Sequence, residues 1–227
     1  MSEKIESTLH EAATVVLIRD TADRPEVLLL RRNAQLAFHG GSWVFPGGRI
    51  DPEDYGAGGD ADIQAAAVQA AVREAHEEAG LSIRAEALCY FSHWTTPEGR
   101  PKRFSTWFFA AEANTEQVVV DGGEIHGFEW MHPAAALQAQ RANEIELPAP
   151  TYVTLLKLQT YDRTADALEA LRQAPPEVFV PRYHKVEGGA CSVYEQDASY
   201  TTGDLETRGA RHRLWMLESG WRYEREF

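Results

Sequence analysis

The sequence predicts an α/β sandwich built on a mixed sheet, followed by a C-terminal extension of helices and a β-hairpin. Three observations predict it. Runs rich in β-branched and aliphatic residues stand on both sides of an alanine-rich stretch without Gly or Pro, so strands and a helix must share one core. With 227 residues and 44% hydrophobic content, the chain can bury a core of useful size. Beyond Leu147-Pro-Ala-Pro150 the pattern changes to short helical stretches and short alternating segments.

After a polar N-terminal tail, Ala13–Arg19 and Glu26–Arg31 read as two strands flanking a turn that contains Pro25. A loop leads to Trp43-Val-Phe-Pro-Gly-Gly48, and the acidic, glycine-bearing segment Arg49–Asp60 is expected to be irregular. Asp60 or Asp62 is placed to cap the helix predicted over Ile63–Ala79, which Gly80 ends. Ala66, Ala67, Ala70 and Ala71 recur at helical spacing and let this helix lie close to a sheet. Strands are predicted again at Glu86–His93, Phe104–Ala111 and Ile125–Met131, with a short helix over Pro133–Ala139. These elements make a domain over 1–146. The extension, 147–227, is expected to pack on it without folding independently. It carries helices over Tyr152–Thr160 and Ala165–Gln173, the second ended by Pro175-Pro176, and a hairpin containing His212–Met216 and Trp221–Glu224.

Composition excludes several classes of function. A formal net charge of −13 repels a polyanion, so nucleic acid is not an expected partner. No stretch approaches the roughly 20 apolar residues of a membrane span, and MSEKIESTLH lacks the order of a signal peptide, so a cytoplasmic protein without membrane contact is expected. Cys89 and Cys191 form no CxxC pair and are expected to be buried thiols. A small anionic substrate stays compatible with the charge if metal ions neutralise it locally.

One feature of the helix points to such ions. Glu74, Glu77 and Glu78 are three and four residues apart, which places them on one helical face. Carboxylates so crowded favour a hard divalent cation such as Mg2+ or Mn2+, which takes oxygen ligands and keeps positions open for phosphates. Such an ion would offset diphosphate charge and lower the pKa of an attacking water. Taken alone, the cluster reads equally well as a solvated acidic face ended by a glycine cap.

Phe45-Pro-Gly-Gly48 followed by Arg73-Glu-Ala-His-Glu-Glu-Ala-Gly-Leu81 resembles the signature of the Nudix hydrolases. The resemblance implies an α/β/α sandwich and cleavage of a nucleoside diphosphate linked to another moiety. It implies Glu74 and Glu78 as principal metal ligands, Glu77 as a ligand or the group positioning a metal-bound water, and the carbonyl of Gly47 or Gly48 in the same shell. Arg73 would orient the carboxylates. Two departures stand out. The spacing from Gly48 to Arg73, 25 positions, is about 11 longer than in the motif, and counting back from Arg73 puts Ala65 where its first glutamate belongs. That glutamate pairs with the arginine, so Arg73 needs another partner among Asp51, Glu53, Asp54, Asp60 and Asp62. A ligand-sensing Nudix domain without turnover is the alternative class.

The long acidic spacer resembles the branch that contains the peroxisomal coenzyme A diphosphatases. So does Leu28-Leu-Leu-Arg-Arg-Asn33 with His39 and Gly41, although Leu30, Asn33 and Ala37 replace residues of that branch's pattern. Trp94-Thr-Thr-Pro97 and Arg103-Phe-Ser-Thr106 are similar to its downstream pattern. The resemblance implies coenzyme A or acyl-CoA as substrate, with ADP-ribose and NADH as competitors. Arg31, Arg32 and Arg103 are candidate phosphate-binding residues and Trp94 a candidate base-stacking residue, as Trp43 and Trp107 could also be. Glu124, in a polar loop before a strand, is placed like the late catalytic glutamate of many Nudix enzymes; His93 and His126 are weaker candidates. The C-terminal third is expected to cap the cleft or build a homodimer contact.

Overall fold

The structure is a computed structural model that describes residues 8–36, 39–113 and 117–227, without the side chains of 57–61. Ala37 and the side chain of Asp60 therefore lie outside the described residues. The strands are β1 (Leu9–Arg19), β2 (Glu26–Arg32), β3 (Trp43–Val44), β4 (Gly47–Arg49), β5 (Cys89–Thr95), β6 (Arg103–Glu112) and β7 (Ile125–Met131), then β8 (Glu177–Phe179), β9 (Arg182–Val186), β10 (Gly189–Val193), β11 (Arg211–Leu217) and β12 (Gly220–Glu226). The helices are α1 (Ile63–Ala79), α2 (Pro133–Arg141), α3 (Ala149–Leu158) and α4 (Thr164–Gln173).

Two compact units emerge. The larger comprises residues 10–93 and 106–177; the smaller comprises 8–9, 94–105 and 178–227. The expected break at 146/147 is not where the structure divides: α3 and α4 belong to the larger unit, whereas the turn between β5 and β6 belongs to the smaller. Helix α3 buries six of its ten residues, which is why it cannot stand apart from a core.

In the larger unit the sheet runs β3-β2-β1-β6-β5, with β4 paired to β1 and β7 to β2. Strand β1 is long enough to serve two antiparallel partners, β2 at Ile18↔Val27 and β4 at Ala13↔Gly48. Val15, Leu17, Leu28 and Leu30 meet α1, and Val16, Ile18, Val27 and Leu29, on the opposite face, are equally buried. A sheet covered on both sides requires such continuous apolar runs, which is why the strands show no polar-apolar alternation.

Helix α1 has the bounds its sequence predicts. Asp62 Oδ1 accepts from the Ala65 N–H at 2.9 Å. At the far end Gly80 adopts φ 69°, and the N–H groups of Gly80 and Leu81 donate to the carbonyls of His76 and Ala75. Ala67, Ala70, Ala71, Ala75 and Ala79 have no exposure at all. Side chains this small bring the helix close to β1 and β2, and so bring its glutamates down to the sheet's edge. The segment before it is not irregular: Pro52–Ala61 forms successive 3-10 turns, started by the Asp54 N–H donating to the Asp51 carbonyl at 3.0 Å. The predicted strand at Glu86–His93 begins only at Cys89, after a 3-10 turn over Ala85–Ala87.

The smaller unit is built on an antiparallel sheet of order β12-β11-β10-β9, so the predicted hairpin, β11 with β12, is half of a four-stranded sheet. Its core is aromatic: Trp94 stacks on Phe179 with ring centroids 3.9 Å apart, and Tyr194 meets both edge-on. Among the described residues no helix is long and apolar enough to cross a membrane.

Candidate active site

The site grows from a junction of three elements. The turn before β4 is pinned to β1, since the Pro46 carbonyl accepts from the Val15 N–H at 2.9 Å and from Thr14 Oγ1 at 2.6 Å. This holds Gly47 and Gly48 against the fourth and fifth turns of α1. The Gly47 N–H donates to Glu78 Oε2 at 2.9 Å. A Cβ at Gly48 would collide with the Glu74 carboxylate, so this position needs glycine for space, not for an unusual backbone angle.

Arg73 organises the other side. Its five N–H donors are all used, each once: Nε and Nη2 to Asp54 at 3.1 and 2.9 Å, Nη2 to the Arg49 carbonyl at 2.9 Å, and Nη1 to Glu74 Oε1 and Glu77 Oε2 at 2.9 and 3.0 Å. Asp51 lies farther, at 3.7 Å. The hydrogen bonds to Asp54 hold the guanidinium even more firmly protonated than usual. Asp54 itself is 7% exposed and also accepts from the Asp51 N–H at 2.8 Å.

Asp54 is thus the partner that Arg73 needs, and Ala65 is not the place where it was lost. The helix begins at Ile63, so Ala65 sits in its first turn, roughly 12 Å along the axis from Arg73 at 1.5 Å per residue. Counting forward from Gly48 instead, the motif's glutamate falls on Asp54, six positions on. The extra residues therefore enter after this position, as 3-10 turns and an earlier start to α1. The forward count was the available signal, and an aspartate in place of glutamate concealed it.

The carboxylates share one design. Each of Glu74 and Glu78 has one oxygen anchored, to Arg73 and to the Gly47 N–H respectively, while the other accepts no hydrogen bond among the described residues. Burial raises the Glu74 carboxyl above its ordinary value despite Arg73. Burial pushes Glu78, 6% exposed, up to about 8, and its neighbours Glu74 and Glu124 add to this against the Gly47 N–H and Arg32. A cation would relieve both groups. The expected single face of three glutamates is divided: Arg73 draws Glu77, whose side chain is 56% exposed, outward. Among the described residues no three acidic, imidazole or thiol side chains stand together as a metal cluster. The donors present, two half-anchored carboxylates beside a glycine turn, suit a hard divalent ion that keeps water or phosphate in its remaining positions.

Arg32 closes the third side. Following Leu28 and Leu30 on one face of β2, it points toward α1, with Nη1 4.0 Å from Glu78 Oε1 and Nη2 3.5 Å from Glu124 Oε2. Arg31 is exposed on the alternate face, away from these carboxylates. Glu124 is brought in by a bulge in β7, where Arg31 pairs with Gly127 and Arg32 with Ile125, leaving His126 as the extra residue. Trp43 is half-buried, and its backbone N–H donates to the Glu146 carbonyl. His93 packs edge-on to Trp107, and burial lowers its pKa.

Trp94 and Arg103 belong to the smaller unit and are engaged there. Trp94 is 5% exposed with a ring face covered by Phe179, so core packing accounts for it and that face cannot stack a base. Arg103 Nε donates to the Thr96 carbonyl at 3.1 Å, closing the turn between β5 and β6.

This geometry has known counterparts. Residues 8–152 match the NUDIX domain. Putative nudix hydrolase 7 of Caenorhabditis elegans is 26% identical over 191 residues, covering 68% of this chain; the chain spans 62% of that relative's length. The crystal structure of a NUDIX hydrolase from Alicyclobacillus acidocaldarius has a TM-score of 0.67 with 24% identity, over 75% of this chain and 100% of that one, and shares its fold. The class that fold and carboxylate helix define is that of NUDIX-domain proteins. The chain belongs to the Nudix family.

Proposed function

We propose that this Nudix protein hydrolyses the diphosphate of a nucleoside diphosphate derivative, with coenzyme A or an acyl-CoA as the substrate to test first. The observation that carries the proposal is the paired arrangement of Glu74 and Glu78, each held at one oxygen and open at the other. A divalent ion, Mg2+ or Mn2+, bound there with the Gly48 carbonyl would neutralise diphosphate oxygens and activate water. Glu74 and Glu78 hold it, Arg73 fixes Glu74 and Glu77, and Glu77 or Glu124 takes the proton from the attacking water. Water adds to one phosphorus while the bridging P–O bond breaks, giving adenosine 3′,5′-bisphosphate and a 4′-phosphopantetheine product. Arg32, on the same face, would take a phosphate; Arg31 is exposed on the alternate face of β2, and Arg103 is engaged with the Thr96 carbonyl.

The coenzyme A assignment is supported by the upstream Leu28–Asn33 and Phe45–Gly48 patterns and the long spacer. ADP-ribose and NADH share the diphosphate and stay in competition, because the carboxylates meet only that group. The sensing alternative was motivated by Ala65 and the insertion, and Asp54 removes that motive. The test is turnover: purified protein with Mg2+ or Mn2+ and coenzyme A, acetyl-CoA, ADP-ribose or NADH, products separated by anion exchange. Coenzyme A cleaved with the highest kcat/KM is the expected result. Binding without cleavage of any of them would return the sensing reading.

A further inference from the structure

We propose that Arg32 is a reserve cation: it stands between Glu78 and Glu124 and leaves that place when a divalent ion enters, which frees its guanidinium for a substrate phosphate. The proposal rests on reading Glu78 as a ligand of that ion and adds the Glu124 carboxylate to the same shell, which leaves Glu77 to take the proton from water.

The contrast with Arg73 carries it. Every donor of Arg73 is within 3.1 Å of an acceptor. Arg32, with its side chain only 18% exposed, lies 3.5 and 4.0 Å from its two carboxylates, and its buried Nε has no hydrogen-bond partner among the described residues. The contact to Glu78 is charge attraction alone, and the one to Glu124 is a hydrogen bond at the outer limit of length. A guanidinium held by one long bond is exchangeable, whereas one with five short bonds is fixed.

Its surroundings are set to receive a replacement. The Glu124 backbone is tied down, its N–H donating to Asp121 Oδ2 at 2.9 Å and its carbonyl accepting from the Asn33 N–H at 2.7 Å. Asn33 Nδ2 donates to the Gly123 carbonyl at 3.1 Å, so the loop is fastened to the residue next to Arg32. Glu78 is anchored at its other oxygen. Two carboxylates held by their backbones or far oxygens thus face one gap with a monovalent cation in it. A divalent ion needs oxygens at about 2.0–2.6 Å, and it cannot share that gap with a guanidinium.

The test is Mn2+ binding without substrate, followed from the electron paramagnetic resonance of free Mn2+. Arg32→Gln is expected to bind Mn2+ about tenfold tighter than the wild type, and Arg32→Lys, which keeps the charge, close to the wild type. In a Glu124→Gln background the Arg32→Gln gain should shrink. For turnover, Arg32→Gln should need less Mn2+ for half-activation and show a raised KM. Circular dichroism checks that both variants are folded. If Glu78→Gln loses Mn2+ binding while Arg32→Gln and the wild type bind it equally, the reserve-cation role falls and the ligand assignment stands. If Glu78→Gln binds Mn2+ like the wild type, the ligand assignment falls and takes this role with it.

Discussion

Two arginine–aspartate clamps, one in each unit, use the same chemistry for different ends. In the smaller unit Arg213 and Asp197 are 2% and 0% exposed at their side chains. Arg213 donates to both Asp197 oxygens at 2.6 and 2.7 Å, to Ser199 Oγ and to the Leu205 carbonyl. Asp197 also accepts from Ser199 and from the His212 N–H. Every bond ends inside the network. In the larger unit Arg73 gives Asp54 the same two-pronged grip but keeps Nη1 for Glu74 and Glu77, whose other oxygens accept no hydrogen bond among the described residues. A closed clamp stabilises a fold. An open one passes its rigidity on to groups that bind something else, so depth of burial separates the two less well than where the remaining donors point.

Breaking the closed clamp gives the largest effect. Asp197→Ala leaves Arg213 charged and buried, and is expected to cost about 3–5 kcal/mol of stability in thermal or urea unfolding. Burial pushes the Asp197 carboxyl up, but the bonds from Arg213, Ser199 and His212 outweigh this and hold it far below the ordinary range. A depressed folded pKa contributes stability that is complete above the unfolded value of about 3.9 and lost as pH falls toward the folded one. The gap between wild type and Asp197→Asn should therefore be constant near neutrality and narrow below about pH 4. A gap that instead grows on acidification would contradict the ion pair.

The proposed metal ligands come next. Glu78→Gln should lower turnover at least about a hundredfold, roughly 3 kcal/mol of barrier, with little loss of stability, since burial already disfavours the charged form. Near-normal turnover would end the assignment of Glu78 as a ligand. Asp54→Asn removes the grip on Arg73 without touching the substrate; about a tenfold fall in kcat with KM nearly unchanged is expected, and Asp54→Glu should restore most of it. A KM effect alone would place Asp54 elsewhere in the mechanism.

How much of this was legible varied with the reach of the interaction. Helix α1 and its Gly80 stop are local and stand in the structure where the residue pattern put them, and of the two aspartates it offered as the cap the structure uses Asp62. The grouping of Glu74 and Glu78 with the Gly47-Gly48 turn followed from ordered motifs. Their division between two cations did not, because it depends on Arg32 and Asp54, brought in from a strand and an insertion by tertiary contacts. The 3-10 turns of Pro52–Ala61 were hidden by glycine content that ordinarily marks loops. The closed clamp was illegible: Arg213 in His212-Arg-Leu-Trp-Met216 reads as the solvent-facing residue of an edge hairpin, and only the distant Asp197 makes its burial tolerable.

The smallest effect tests where the insertion lies. Were Ala65 the vacated position of the motif glutamate, Ala65→Glu would give Arg73 a second carboxylate and would rescue Asp54→Asn. The helix forbids this, because eight residues at 1.5 Å each leave about 12 Å between the two positions, beyond the reach of the pair. The carboxylate introduced by Ala65→Glu lies instead in the first turn of α1, three residues after the Asp62 cap, where it can accept from the Asp62 N–H and complete a capping box. Ala65→Glu should thus raise stability by about 0.5 kcal/mol, through the cap and the helix dipole, and leave kcat unchanged in both the wild-type and Asp54→Asn backgrounds. Rescue of Asp54→Asn would mean that α1 starts later than Ile63 and that the insertion precedes the motif glutamate. Stabilisation without rescue assigns that role to Asp54 and makes the 3-10 turns an excursion of the chain between two residues that the site keeps together.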